Sequence, residues 1–129
     1  MAMTTELDGK IVVSEAGVGG TQQAVNLTSG SITHETKGRV FLASSAVPIA
    51  NALDMGGITT GKGCKFIWLR ARDLNNADAI ITPRINGVTF QAGSEFIYAC
   101  SKGSGQTITT VSVIPEATTD MNVDYIFTA

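Results

Sequence analysis

This 129-residue chain has little charge, few leucines and few reactive side chains. Charged residues make up 16% of it and the net charge is −2, with 9 lysines and arginines in all. That is too few to build the basic surface that nucleic acid requires, and no aromatic residues interleave with them to stack bases, so no nucleic-acid partner is expected. A single histidine, His34, excludes any site built from several histidines. It leaves a catalytic dyad or triad only if His34 lies beside Ser, Cys or Asp. Its neighbours Thr33 and Glu35 mark it instead as a polar surface residue. Two cysteines, Cys64 and Cys100, are too few and too far apart for a disulfide framework or a zinc knuckle. Both read as small buried apolar residues, or, if their strands are neighbours, as thiols that oxidation could bridge. No apolar run approaches 18 residues, and the opening Met-Ala-Met-Thr-Thr-Glu lacks a basic segment followed by an apolar one. The expectation is a soluble chain made in a cytoplasm, with no membrane partner.

What is abundant points to strands. There are 10 valines, 12 isoleucines and 16 threonines against 6 leucines, and 14 glycines. Branched side chains suit a pleated surface, while the straight-chain residues that keep their rotamer freedom in a helix are scarce. A helical bundle is excluded.

Residues 1–30 are polar and glycine-bearing, with one apolar cluster, Ile11-Val12-Val13. They read as an extended N-terminal arm that gains order by lying on something else, with a reach of up to about 70 Å for some 20 residues. Residues 31–129 read as the folded domain. Its expected strands are Ser31–Thr36, Gly38–Ser44, Cys64–Arg72, Ala79–Ile85, Val88–Phe90, Glu95–Ser101, Thr107–Ile114 and Asn122–Thr128, a spacing that fits an all-β antiparallel sandwich or barrel. Asn86-Gly87 is the strongest turn signal, since both residues tolerate positive φ and so close a two-residue hairpin. Short connections after it predict an antiparallel meander over 79–114.

Alternation assigns faces. Val123, Tyr125 and Phe127 share one face and are expected in the core. In Cys64–Arg72, Phe66 and Trp68 lie on one face and Ile67, Leu69 and Ala71 on the other. A strand apolar on both faces is central, or is covered on one side by its own fold and on the other by a partner. The uncharged Thr107–Val113 stretch would be aggregation-prone at an exposed edge and should also be covered.

Three motifs suggest chemistry and fall short of it. Gly56-Gly57-Ile58-Thr59-Thr60-Gly61-Lys62-Gly63 nearly spells a phosphate-binding loop. However, Gly63 replaces the metal-binding hydroxyl, and a strand follows where a helix is needed, so a plain turn is expected. Asp73-Leu74-Asn75-Asn76-Ala77-Asp78 has calcium-like oxygens without the central glycine or the closing glutamate, and reads as a polar loop. Arg70, Arg72 and Arg84 are expected to form one small positive patch facing an acidic protein surface. With Ile11, Val12 and Val13 they are the candidate partner-interface residues. No catalytic, cofactor-binding or metal-binding residues are expected.

The segments Val40–Ile49, Leu53–Lys62 and Phe66–Arg70, followed by Ile85–Tyr98, resemble the small β-rich virion proteins of tailed bacteriophages. In those a small-residue strand, a leucine, glycine and threonine-threonine-glycine turn, and an aromatic-rich strand recur. Ser94 interrupts the alanine-glycine-glutamate step that such proteins often carry. Covering roughly residues 38–128, the resemblance implies a jelly-roll-like sandwich without enzymatic activity. Its expected role is that of a capsid cement or decoration protein, forming a homotrimer and binding the major capsid protein or another virion protein. A tail or adaptor component is the alternative within the particle. From a different class, a carbohydrate- or receptor-binding module would use Trp68 and Tyr98 as stacking platforms; core packing is the expectation for both rings.

Overall fold

The computed structural model describes residues 3–15, 18–32, 35–59, 64, 66–99 and 108–129. The chain divides into two units, Met1–Thr33 and His34–Ala129. His34 and Cys100 lie outside the described residues.

In the first unit, β1 (Met3–Glu15) and β2 (Val18–Ile32) pair antiparallel from Glu15↔Val18 at one end to Met3↔Ile32 at the other. The stretch read as an arm therefore pairs with itself. The 13 residues of β1 span roughly 45 Å at strand rise, well short of the reach of a single extended strand using the whole segment. Ile11, Val12 and Val13 are in backbone register with Gln23, Gln22 and Thr21 in this ladder.

The second unit is all-β, and its described residues contain no α-helix. Its strands are β3 (Glu35–Leu42), β4 (Asn51–Ala52), β5 (Phe66–Asp73), β6 (Ile81–Ile85), β7 (Val88–Thr89), β8 (Glu95–Ala99), β9 (Val111–Pro115) and β10 (Met121–Thr128). They form two antiparallel four-stranded sheets, ordered β3-β10-β5-β8 and β4-β9-β6-β7.

The pairing has a simple generator. β6 pairs with β7, β5 with β8, β4 with β9 and β3 with β10. This is one long hairpin closed at Asn86-Gly87, with successive rungs falling alternately into the two sheets. The pairs β5–β10 and β6–β9 then knit the rungs together. Asn86 and Gly87 both have positive φ, 51° and 81°, as a two-residue turn of this hand needs. The side-chain oxygen of Asn86 also accepts from Thr109 N at 2.8 Å, Thr109 Oγ1 at 3.1 Å and Thr110 N at 3.2 Å. That ties the turn to the segment entering β9.

The expected meander over 79–114 is not formed. Among the described residues of this stretch only β6–β7 is a local pair; β8 leaves to join β5, and β9 returns beside β6. Short loops permit a meander but do not require it, and both sheets bury more by sharing one core. Ile67, Leu69 and Ala71 of β5 and Val123 and Phe127 of β10 join Ile81 and Ile85 of β6 and Val111 and Val113 of β9 in a single buried cluster. Cys64 is buried in the same cluster and exchanges backbone hydrogen bonds with Ile108.

Segment 43–59 contains a strand, β4, that alternation over so few residues could not show, and it sends Leu53, Met55 and Ile58 into the core. Gly56–Thr59 is a 3-10 turn, and the strand β5 follows it. The Asp73 carboxylate is committed to its own loop, accepting from Asn75 N at 2.8 Å and Ala77 N at 2.9 Å. It therefore works as a loop cap.

Candidate interaction surface

In the β3-β10-β5-β8 sheet the inner positions are filled by Val40, Val123, Tyr125, Phe127, Ile67, Leu69, Phe96 and Tyr98. Alternation then sends Lys37, Arg39 and Phe41 outward from β3, and Asn122, Asp124 and Ile126 outward from β10. From β5 and β8 it sends out Phe66, Trp68, Arg70, Arg72, Glu95 and Ile97. Register lines these up in rows across the strands. One row reads Arg39, Asp124, Arg70, Glu95, a cation and an anion alternating across all four strands. The next, two residues along, reads Lys37, Ile126, Trp68, Ile97. The apolar middle of this second row, with Phe66 beside it, makes a patch bordered by the charged row. Ile97 is 45% exposed and Phe41 54%.

Arg39 donates to Asp124 through two nitrogens, Nε to Oδ1 at 2.6 Å and Nη2 to Oδ2 at 3.2 Å. Hydrogen bonding from Arg39 holds the Asp124 carboxyl below the ordinary carboxylate range. Partial burial opposes this, and the charges of Arg39, Arg72 and Arg70 reinforce it. Among the described residues Arg70 has no ion pair, although Asp124 and Glu95 are its direct neighbours in register.

Trp68 corrects the expectation of core packing. It is half-buried on this outer face, and its indole N–H donates to Glu95 Oε1 at 2.8 Å. The signal was in the strand itself, because Trp68 is in phase with Arg70 and Arg72, and two arginines cannot line the inner face of a dry core. Tyr98 does pack against the core, within 5.6 Å of the Phe90 ring centroid.

The expected arginine patch is divided. Arg70 and Arg72 share the outer face of β5, whereas Arg84 is at an outward position of β6 in the other sheet. Arg84 donates from Nη2 to Gly87 O at 3.3 Å, which secures the Asn86-Gly87 turn. Ile11, Val12 and Val13 belong to the other unit. The residues that sequence reading missed here are Arg39, Asp124, Glu95 and Ile126. Each is outward by alternation, but their alignment depends on pairing between segments up to 85 residues apart.

Among the described residues no cluster of three or more His, Cys, Asp or Glu could hold a metal, and no helix is long and apolar enough to cross a membrane. Comparison with protein-family models, curated proteins and solved structures gives no match.

Proposed function

We propose that this chain is a non-enzymatic structural subunit of a virion. In this reading it is a jelly-roll sandwich that acts as a capsid cement or decoration protein by covering the surface of a neighbouring virion protein. Support for the fold comes from the strand order, since a long hairpin rolled so that its rungs alternate between two four-stranded sheets is the jelly-roll plan. Fold alone does not fix function. The observation that carries the functional reading is the outer face of the β3-β10-β5-β8 sheet. An aromatic and aliphatic centre beside ordered charges has the composition of a protein–protein interface. The resemblance of residues 38–128 to small phage virion proteins supplies the setting.

The test is co-sedimentation of the purified chain with particles that lack it, followed by counting of copies. Binding at hundreds of copies per particle supports a shell protein, and tens or fewer a tail or adaptor component. No binding, together with absence from purified virions, rejects the reading.

A second reading, a carbohydrate-binding module, is favoured by one observation: Trp68 is half-exposed with its ring held by Glu95. Stacking of a sugar on that ring would quench Trp68 emission. Emission that does not respond to a glycan panel rejects this reading.

A further inference from the structure

We propose that the outer face of the β3-β10-β5-β8 sheet docks a second copy of this chain, about a two-fold axis parallel to the strands and passing between β10 and β5. The sign order of the charged row favours that axis. From β3 to β8 it runs plus, minus, plus, minus: Arg39, Asp124, Arg70, Glu95. Reversed, it runs minus, plus, minus, plus. Two copies facing each other across this axis present one row to its own reversal, so Arg39 meets the second copy's Glu95 and Asp124 meets its Arg70. Four opposite-charge pairs form from four residues, with no like pair opposed. A two-fold axis perpendicular to the strands and lying along the charged row would set each of its residues against itself and oppose every like charge, so the row favours the axis parallel to the strands.

The neighbouring row agrees. Under the same operation Ile126 meets the second copy's Trp68, and Lys37 lays its aliphatic stem against Ile97. Arg70, without an ion pair among the described residues, gains one. Sheets packed this way lie aligned, their strands crossing at roughly 30° because each sheet is twisted. The footprint, four strands by about eight residues, is roughly 20 by 25 Å. This is at the small end for a specific interface, so a weak dimer is expected. It differs from the trimer that the virion resemblance implies. Because it uses the face that carries the proposed function, a dimer formed there competes with particle binding through that face, while its own test is the mass of the free chain.

Sedimentation equilibrium of the full chain over about 10 μM to about 1 mM, a range suited to a small interface, is expected to show conversion from one-chain to two-chain mass. Rising salt should weaken the dimer. Trp68, the single tryptophan, should shift to the blue as the dimer forms. Arg39→Glu opposes two glutamates twice per dimer, and Glu95→Lys opposes a lysine and an arginine twice. Each alone should associate about 10- to 100-fold more weakly. Mixed in equal amounts, they restore every opposite-charge pair and should recover the two-chain mass.

One-chain mass at every concentration overturns the inference, whatever else covers the face. So do a three-chain mass, a two-chain mass with unchanged Trp68 emission, or folded variants that associate like the parent or fail to complement each other. If either variant does not fold, the salt and emission series on the unaltered chain still decide the matter.

Discussion

Tyr125 lies across Gly38. A Cβ placed on residue 38 would sit 2.8 Å from the Tyr125 hydroxyl oxygen and 3.0 Å from Cζ, while the ring stacks on Phe127 with centroids 5.0 Å apart. The two residues are direct partners in the β3–β10 ladder. The missing side chain on β3 is thus the space that the ring of β10 occupies, and it keeps a large aromatic residue within the core layer.

Gly38→Ala should therefore destabilise the domain by about 1–2 kcal/mol, because the overlap outweighs the gain from a less flexible unfolded chain. Tyr125→Leu in the same molecule should remove most of that increment, although Tyr125→Leu alone has its own cost. Urea denaturation of the four-member cycle measures the coupling.

Asn86 has two separable jobs, a positive φ of 51° and a carbonyl oxygen that accepts from Thr109 and Thr110. Asn86→Gly should keep the first and lose the second, costing about 1 kcal/mol. Asn86→Ala loses both and should cost about 1 kcal/mol more. Equal midpoints for the two variants in thermal melts would show that backbone conformation contributes nothing.

Asp124 has a folded-state pKa below its ordinary value of 3.8. In the window between the two values the unfolded chain binds more protons, so stability rises with pH there. The contribution of Asp124 should be complete above the ordinary value and should disappear as pH falls through the lower, folded-state one. Asp124→Asn should flatten that part of the stability profile, and high salt should do so partially. Equilibrium unfolding between about pH 5 and pH 2 is the measurement.

Phe127 is fully buried, and Trp68 is half-buried on the outer face. Phe127→Ala should cost about 3–5 kcal/mol, a large fraction of the stability of a domain this size. Trp68→Phe should cost less than about 1 kcal/mol while abolishing the emission signal. Comparable losses in the two variants would place both rings in the core.

Much of the folded domain was legible locally. Alternation in Asn122–Thr128 placed Val123 and Phe127 in the core, and in Cys64–Arg72 it put Ile67 and Leu69 on one face without deciding which face is inward; all four are fully buried. The uncharged stretch ending at Val113 was expected to be covered, and β9 lies inside its sheet between β4 and β6. Asn86-Gly87 gave its turn type, because only residues tolerant of positive φ can occupy both positions cheaply. The two-residue strand β4 left no periodic trace, and Arg84 lies apart from Arg70 and Arg72 because β5 and β6, consecutive along the chain, belong to different sheets.

By itself, then, the order of residues determined most strands of the second unit, the core face of Asn122–Thr128 and where the tightest turn lies, since those follow from side-chain size and backbone preference over a few residues. Only the tertiary structure decided partners. Arg39 meets Asp124 and Trp68 meets Glu95 because β3, β10, β5 and β8 must share a sheet to bury one core with β9 and β6. Nothing local encodes that choice: each strand's hydrogen-bonding edges are the same whichever neighbour they meet, and only the shared burial of the inner faces distinguishes one pairing from another.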